Sequence, residues 1–179
     1  MEALPNPSLT VVDGLGVAPL ALDEAGALLP REPGVYAWWA KPETFAELPG
    51  TVNPTDQRYR LLYVGIATNL NHRIRRNHLA RSGSSTLRRT LAGLLLPTEH
   101  WETRRTDRVV LVPAAELRLT AWMHEHLRLT WYACEDPRPH ELRLITALCP
   151  PLNFEGVPPG PTRDRVKAAK AAYAASAVH

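Results

Sequence analysis

Gly34-Val35-Tyr36-Ala37-Trp38-Trp39-Ala40 (GVYAWWA) is a run of seven uncharged residues bounded by Pro33 and by Lys41-Pro42. A short, nearly continuous apolar run rich in β-branched and aromatic side chains reads as a strand. A second run of the same kind, Leu61–Ala67 (LLYVGIA), lies downstream, and the intervening Lys41–Arg60 carries three prolines and a glycine, which makes it a long loop. After the second strand Asn69 is placed to cap a helix through about Leu79, with Leu70 and Ile74 on one face. Ser82-Gly83-Ser84-Ser85 breaks that helix, and Ser85 or Thr86 caps another, Leu87 to Leu96, stopped by Pro97. Arg108–Val112 reads as a short strand, Thr120 as the cap of a helix to His126, and Leu127–Cys134 as an alternating, half-buried strand. Asp136-Pro137 opens a helix to about Cys149, ended by Pro150-Pro151.

The order is β-β-α, an insertion over about 82–126, then β-α, an α/β (α+β) arrangement. Residues 1–30, rich in Pro, Gly and Ala with a weak helical pattern near Leu20–Leu29, read as an N-terminal arm. Residues 31–156 read as the domain proper, and 157–179 as a tail holding an alanine-rich helix, Thr162–Ala177. A chain of 179 residues with 45% apolar content is one domain's worth of core.

The net charge of +3 hides an uneven distribution. From Gln57 to Thr98 there is no Asp or Glu, while Arg58, Arg60, Arg73, Arg75, Arg76, Arg81, Arg88 and Arg89 all fall there. Either a surface that meets a polyanion or a solvated arginine-rich face accounts for this. Cys134 and Cys149 have neither zinc-site nor disulfide-framework spacing and read as core packing. No apolar run reaches membrane-spanning length and Met1–Pro7 lacks the order of a signal peptide, so a cytoplasmic protein is expected.

Glu141 shares a helix face with Leu144, Ile145 and Leu148, so its carboxylate points to the core side. A carboxylate placed there needs a cation, either an arginine or a metal. Arg73 and Asn77 lie one turn apart behind Tyr63-Val64-Gly65; Arg73 can reach over the strand end to hold a phosphate bidentately or can snorkel to solvent. Gly65 either lets substrate backbone approach or marks a bulge. Ser84 to Arg89 puts hydroxyls, free N–H groups and two arginines at a helix start, a setting for a phosphate or for ordinary capping.

Taken in order, Gly34-Val35-Tyr36, Tyr63-Val64-Gly65, Arg73 ten residues past the second tyrosine, Glu141, and Asn153 twelve residues on resemble the GIY-YIG nuclease family over about Pro33 to Phe154. The resemblance implies a small mixed or antiparallel three-stranded sheet flanked by helices, with a helical insertion. It implies a metal-dependent endonuclease, with Glu141 as the sole protein ligand of one Mg²⁺ or Mn²⁺. Tyr36 is then the general base, its pKa drawn down by Arg73 and the metal; Tyr63 positions the water, and Asn153 fixes the end of the Glu141 helix. Gly65, Arg75, Arg76, Asn77, Arg88 and Arg89 are expected on the substrate side, the substrate being DNA, double-stranded, and a homodimer would let two sites cut both strands. Two departures stand out. Ile66 occupies a place where many members carry lysine, and Asn77 a place where others carry histidine, with His78 one position further on. On a regular helix His78 is about 140° from Arg73, so it is read as a structural histidine or as a second candidate for the base. With these departures the alternative is a DNA-binding module on the same fold with weak or no catalysis.

Overall fold

The computed structural model describes residues 7–177. In chain order the elements are α1 (Pro7–Leu15), β1 (Leu20–Ala21), α2 (Leu22–Leu28), β2 (Gly34–Ala40), β3 (Arg60–Ala67), α3 (Leu70–His72) running on as a π-helical turn (Arg73–His78), α4 (Thr86–Glu99), β4 (Thr103–Arg105), β5 (Val109–Leu111), α5 (Pro113–His126), β6 (Leu127–Ala133), α6 (Arg138–Leu148) and α7 (Pro161–Ala174). One antiparallel sheet runs β1-β6-β2-β3, and β4-β5 forms a separate hairpin within the insertion. The three long strands are those expected; the two-residue β1 adds a fourth.

All seven residues of β2 are buried because this central strand is covered on both faces. Tyr36, Trp38 and Ala40 face the larger core, built with α2, the π-turn, α4, α5 and α7. Val35, Ala37 and Trp39 face a smaller core with Val11 and Leu15 of α1 and Leu144 of α6. Two-sided burial replaces alternation with a continuous apolar run. Each fully buried leucine, such as Leu70, Leu91 and Leu119, contributes about 1.5–3 kcal/mol of transfer free energy.

The register of β2 against β3 slips between Trp38 and Trp39: Trp39 pairs with Leu61 and Trp38 with Tyr63, leaving Leu62 as the extra residue of a bulge. Strict alternation from Leu61, which lies in the smaller core, would turn Tyr63 to that same face. The bulge moves it to the face of Trp38 and Tyr36.

Several boundaries differ from the sequence expectation. The part of the N-terminal stretch that the structure describes packs into the protein: Thr130 donates to the Leu15 carbonyl at 2.8 Å, and Leu20 and Ala21 pair with β6. Helix α4 continues past Pro97 to Glu99, since a proline in the last turn removes one ladder bond only. Helix α5 starts at Pro113 rather than Thr120, with proline in the first turn and Glu116 behind it. Thr120 instead lies inside that helix and donates to the Leu79 and Glu116 carbonyls. Neither cysteine is core: Cys134 is half-buried and Cys149 is exposed, in the left-handed conformation at the end of α6. Helices α4 and α7 cross closely, and a Cβ on Gly93 would lie 2.7 Å from the Ala169 carbonyl carbon. Among the described residues no helix is long and apolar enough to cross a membrane.

Candidate active site

The tyrosine pair is built by the sheet. Tyr36 sits opposite Gly65 in the β2–β3 register, and its hydroxyl lies over that glycine, where a Cβ would come within 2.6 Å of the Tyr36 Cζ. Gly65, expected to give way to substrate, therefore gives way to the phenol. Tyr63, turned to the same face by the bulge, brings its ring centroid to 6.5 Å from that of Tyr36.

The π-turn supplies the next two groups. Asn69 caps α3 by accepting from the His72 N–H at 2.9 Å. The turn that follows is bonded i to i+5, as in the 2.9 Å bond from the Leu79 N–H to the Ile74 carbonyl. An i+5 turn accommodates one more residue than an α-turn, so His78 does not swing away from Arg73. Both side chains end on one atom: Arg73 Nε lies 3.4 Å and His78 Nε2 2.6 Å from the Tyr36 hydroxyl. The expected 140° separation fails because it presumes a regular α-helix. This turn had no signal in hydrophobic spacing, although a histidine one place beyond the position where others carry it was a clue.

His78 is fully buried, and burial, with the nearby Arg73 and Arg88 charges, holds its pKa well below the imidazole range. Its other nitrogen, Nδ1, is 2.7 Å from the Ser85 hydroxyl, which also caps α4 by accepting from the Arg88 N–H at 3.1 Å. Tyr36 is pushed upward, by burial first, then by Tyr63; Arg73 pulls the other way and loses. Arg73 draws this phenol down as expected, but without the metal that the expectation joined to it one half-exposed guanidinium is outweighed by the desolvation of a phenolate. Tyr63 is likewise raised, chiefly by burial. Burial opposes the charge of Arg73, yet Tyr36, Tyr63 and Glu141 together hold its pKa above the usual arginine range.

Glu141 is half-buried at the mouth of a cleft of about 450 Å³, lined also by Tyr63, Thr86, Asn153, Glu155 and Lys170. Its carboxyl is raised by burial, lowered by Arg73 and raised again by Glu155. Among the described residues no three His, Cys, Asp or Glu side chains converge. One carboxylate with a second nearby suits a hard divalent cation that keeps most of its waters, and not zinc. Asn153 lies beside it in a structural role, accepting from the Val64 N–H at 2.9 Å and donating to the Val64 carbonyl at 2.8 Å. These bonds, with Leu152 N–H to the Leu62 carbonyl at 2.9 Å, seal the free edge of β3.

The remaining candidates separate. Arg75 and Arg76 are exposed. Asn77 donates to the Ser84 hydroxyl at 2.9 Å, and Arg73 to the Ser84 carbonyl at 3.2 Å. Arg89 is half-buried, held by the Ser82 carbonyl at 2.6 Å. Arg88 is the correction: it is 0% exposed, and its guanidinium binds Glu116 Oε2 at 2.7 and 3.0 Å and also bonds the Glu116 and His78 carbonyls and Thr120. A guanidinium so engaged has nothing left for a phosphate. Its position one residue ahead of Arg89, on the buried side of an amphipathic α4, decides this.

The fold thus gathers two tyrosines and an arginine over the β2–β3 half of an antiparallel sheet, beside the cleft that Glu141 lines. A family model described as the GIY-YIG catalytic domain matches residues 34–171, and the chain belongs to the GIY-YIG nuclease family. No curated protein and no solved structure matches it.

Proposed function

We propose that the chain is an endonuclease that hydrolyses phosphodiester bonds of double-stranded DNA with one Mg²⁺ or Mn²⁺ held at Glu141. The observation that carries this reading is geometric: Arg73 Nε lies 3.4 Å from the Tyr36 hydroxyl, the Tyr63 ring lies 6.5 Å from that of Tyr36, and Tyr63 lines one cleft with Glu141. Bound there, the metal supplies Lewis-acid stabilisation of the charge that grows on the phosphate oxygens. Arg73 holds a non-bridging oxygen through the donors that Tyr36 and Ser84 do not use. A phenol with a raised pKa is protonated at neutral pH, so Tyr36 can accept the water's proton only by releasing its own. The neutral His78 Nε2 at 2.6 Å is the acceptor. With Nε2 free to accept, the ring proton sits on Nδ1 and is donated to Ser85. Tyr63 orients the water or the phosphate.

Incubation of the purified protein with plasmid DNA and Mg²⁺ or Mn²⁺ tests this. Nicked or linear product that disappears in Glu141→Ala is expected. DNA that is bound and never cut under either metal overturns the endonuclease reading in favour of a binding module. The Asn77 departure does not favour that module, because the π-turn brings His78 to the phenol.

A further inference from the structure

Arg73 has a second holder besides the Tyr36 hydroxyl, and that holder is itself held by one side chain. A terminal nitrogen of Arg73 donates to the Ser84 carbonyl at 3.2 Å, so the aim of the guanidinium depends on where Ser84 sits. Ser84 belongs to the short 3-10 turn Ser82–Ser84 that links the π-turn to α4. The two flanks of that turn are anchored in the core. Ser82 is buried and donates to Glu116 from both its N–H and its hydroxyl, and Ser85 is buried against His78 and the Arg88 N–H. Ser84 is exposed, and the backbone bonds about it are long, at 3.4 Å from the Ser84 N–H to the Arg81 carbonyl and from the Ser85 N–H to the Ser82 carbonyl. The carbonyl on which Arg73 leans is thus carried by a weakly anchored part of the loop.

Asn77 supplies the missing tie. Its Nδ2 donates to the Ser84 hydroxyl at 2.9 Å, and that hydroxyl directs its own proton toward the Arg81 carbonyl, 3.5 Å away. Asn77 is fixed in turn by its backbone, whose carbonyl accepts from the Ala80 and Arg81 N–H groups at 3.3 and 3.0 Å where the π-turn ends. Arg73 and Asn77 therefore leave the same turn and reach the same serine, one at its backbone and the other at its side chain. With Nε on Tyr36 and one terminal nitrogen on Ser84, the plane of the guanidinium has two fixed points. A plane so fixed is what a two-point grip on a phosphate requires.

We propose that Asn77 is a positioning residue for the cleavage step: it touches no substrate and aims the Arg73 guanidinium through Ser84. The proposal rests on reading Arg73 as the group that holds the scissile phosphate. Without the Asn77 bond Arg73 keeps its charge and its place but turns more freely, so attraction for the phosphate is retained and orientation is lost. That loss falls on the rate of the bound complex, whereas an asparagine in contact with the DNA would contribute to affinity.

Two measurements on the full chain test it. A guanidinium fixed at two points rotates slowly about its Cζ–Nε bond and gives separate nitrogen NMR signals for its terminal nitrogens. The Arg73 signals, assigned by their loss in Arg73→Lys, should merge in Asn77→Ala and in Ser84→Ala and stay separate in Ser84→Thr, which keeps the hydroxyl. In single-turnover cleavage at saturating protein, Asn77→Ala should slow the step roughly two- to tenfold, the loss of one hydrogen bond, with DNA affinity in EDTA at the parental value. Ser84→Ala should match it, and the double variant should lose no more than either single one. Asn77→Ala made in Arg73→Lys should cost nothing further, because a lysine has no plane to aim. Weakened DNA affinity, losses that add across Asn77, Ser84 and Arg73, or a parental rate in Asn77→Ala each overturn the proposal. A parent that cuts no DNA sinks the endonuclease reading, and the nitrogen spectra then decide alone: signals that stay separate in Asn77→Ala overturn the hold on Arg73, and merged ones keep it.

Discussion

Two charged networks lie back to back across the π-turn, and they differ in what they leave open. The inner one, His78, Ser85, Arg88, Glu116 and Ser82, is closed: the Arg88 guanidinium and the Glu116 carboxylate engage one another and other protein groups, and His78 has a partner on each ring nitrogen. The outer one, Tyr63, Arg73, Glu141 and Arg89, is open. Arg73 spends Nε and one terminal nitrogen on Tyr36 and Ser84 and stays half-buried, while Glu141 faces a cleft. The same residue types thus do two jobs, and saturation of their bonds tells them apart. A closed network fixes geometry; an open one has capacity left for a ligand.

The sharpest way to break this comparison is to truncate one member of each network. Arg88→Ala leaves Glu116 uncompensated in a largely buried setting and should cost about 3–5 kcal/mol, enough to unfold a marginal domain. Glu141→Ala should leave the denaturation midpoint within about 0.5 kcal/mol of the parent and abolish cleavage. Urea titration of both variants reads this directly. An Arg88→Ala protein as stable as Glu141→Ala would dissolve the distinction between the networks.

Arg73 comes next. Arg73→Lys keeps the charge and loses the planar fork, so single-turnover cleavage should fall by about 10²–10³, with little change in DNA affinity. A lysine variant with parental rates would show that Arg73 acts as a point charge.

The tyrosines separate the networks further, since the Tyr36 hydroxyl is hydrogen-bonded to His78 of the inner one, whereas Tyr63 meets His78 only through an edge-on ring contact. Tyr36→Phe keeps the ring but breaks the link from water to His78, so the rate should collapse at every pH. Tyr63→Phe loses one hydrogen bond worth about 0.5–1.5 kcal/mol, or roughly a factor of two to ten in rate. Equal losses in the two variants would place the base elsewhere.

Much of this was legible in the sequence, and the failures at Tyr63 and His78 share a cause. GVYAWWA and LLYVGIA mark the central strands because two-sided burial writes a continuous apolar run, and Glu141 is marked because a carboxylate shares a face with three aliphatic residues. What escaped were shifts of one residue. The bulge at Leu62 and the π-turn at Arg73–His78 each insert one residue into a regular period, and between them they put Tyr63 and His78 on the face of Tyr36. Period counting assumes that such insertions are absent. Arg88 and Arg89 escaped for another reason: adjacent arginines look alike until the partner Glu116, 28 residues away on α5, takes one of them.

The smallest expected effect concerns pH and follows from the closed state of the inner network. His78 faces Tyr36, Ser85 and Trp38 in the core, with Arg73 and Arg88 the charges nearest it, and its pKa lies well below the usual imidazole value. The native protein therefore binds fewer protons at this position than the unfolded chain, whose histidine titrates near 6.5. The stability held by neutral His78 is fully present above about pH 6.5 and is lost as pH falls toward the depressed native value. The rate should follow the same direction, because only the neutral ring can take the proton of Tyr36: flat through neutrality, with an acid limb below the ordinary histidine range. Urea midpoints from pH 8 down to pH 5 for the parent and for His78→Asn check the first part, and the parent should lose stability more steeply. Parallel curves would mean that His78 is charged or exposed in the native state. A rate limb near the tyrosine range in place of the acid one would return the proton acceptor's role from His78 to solvent.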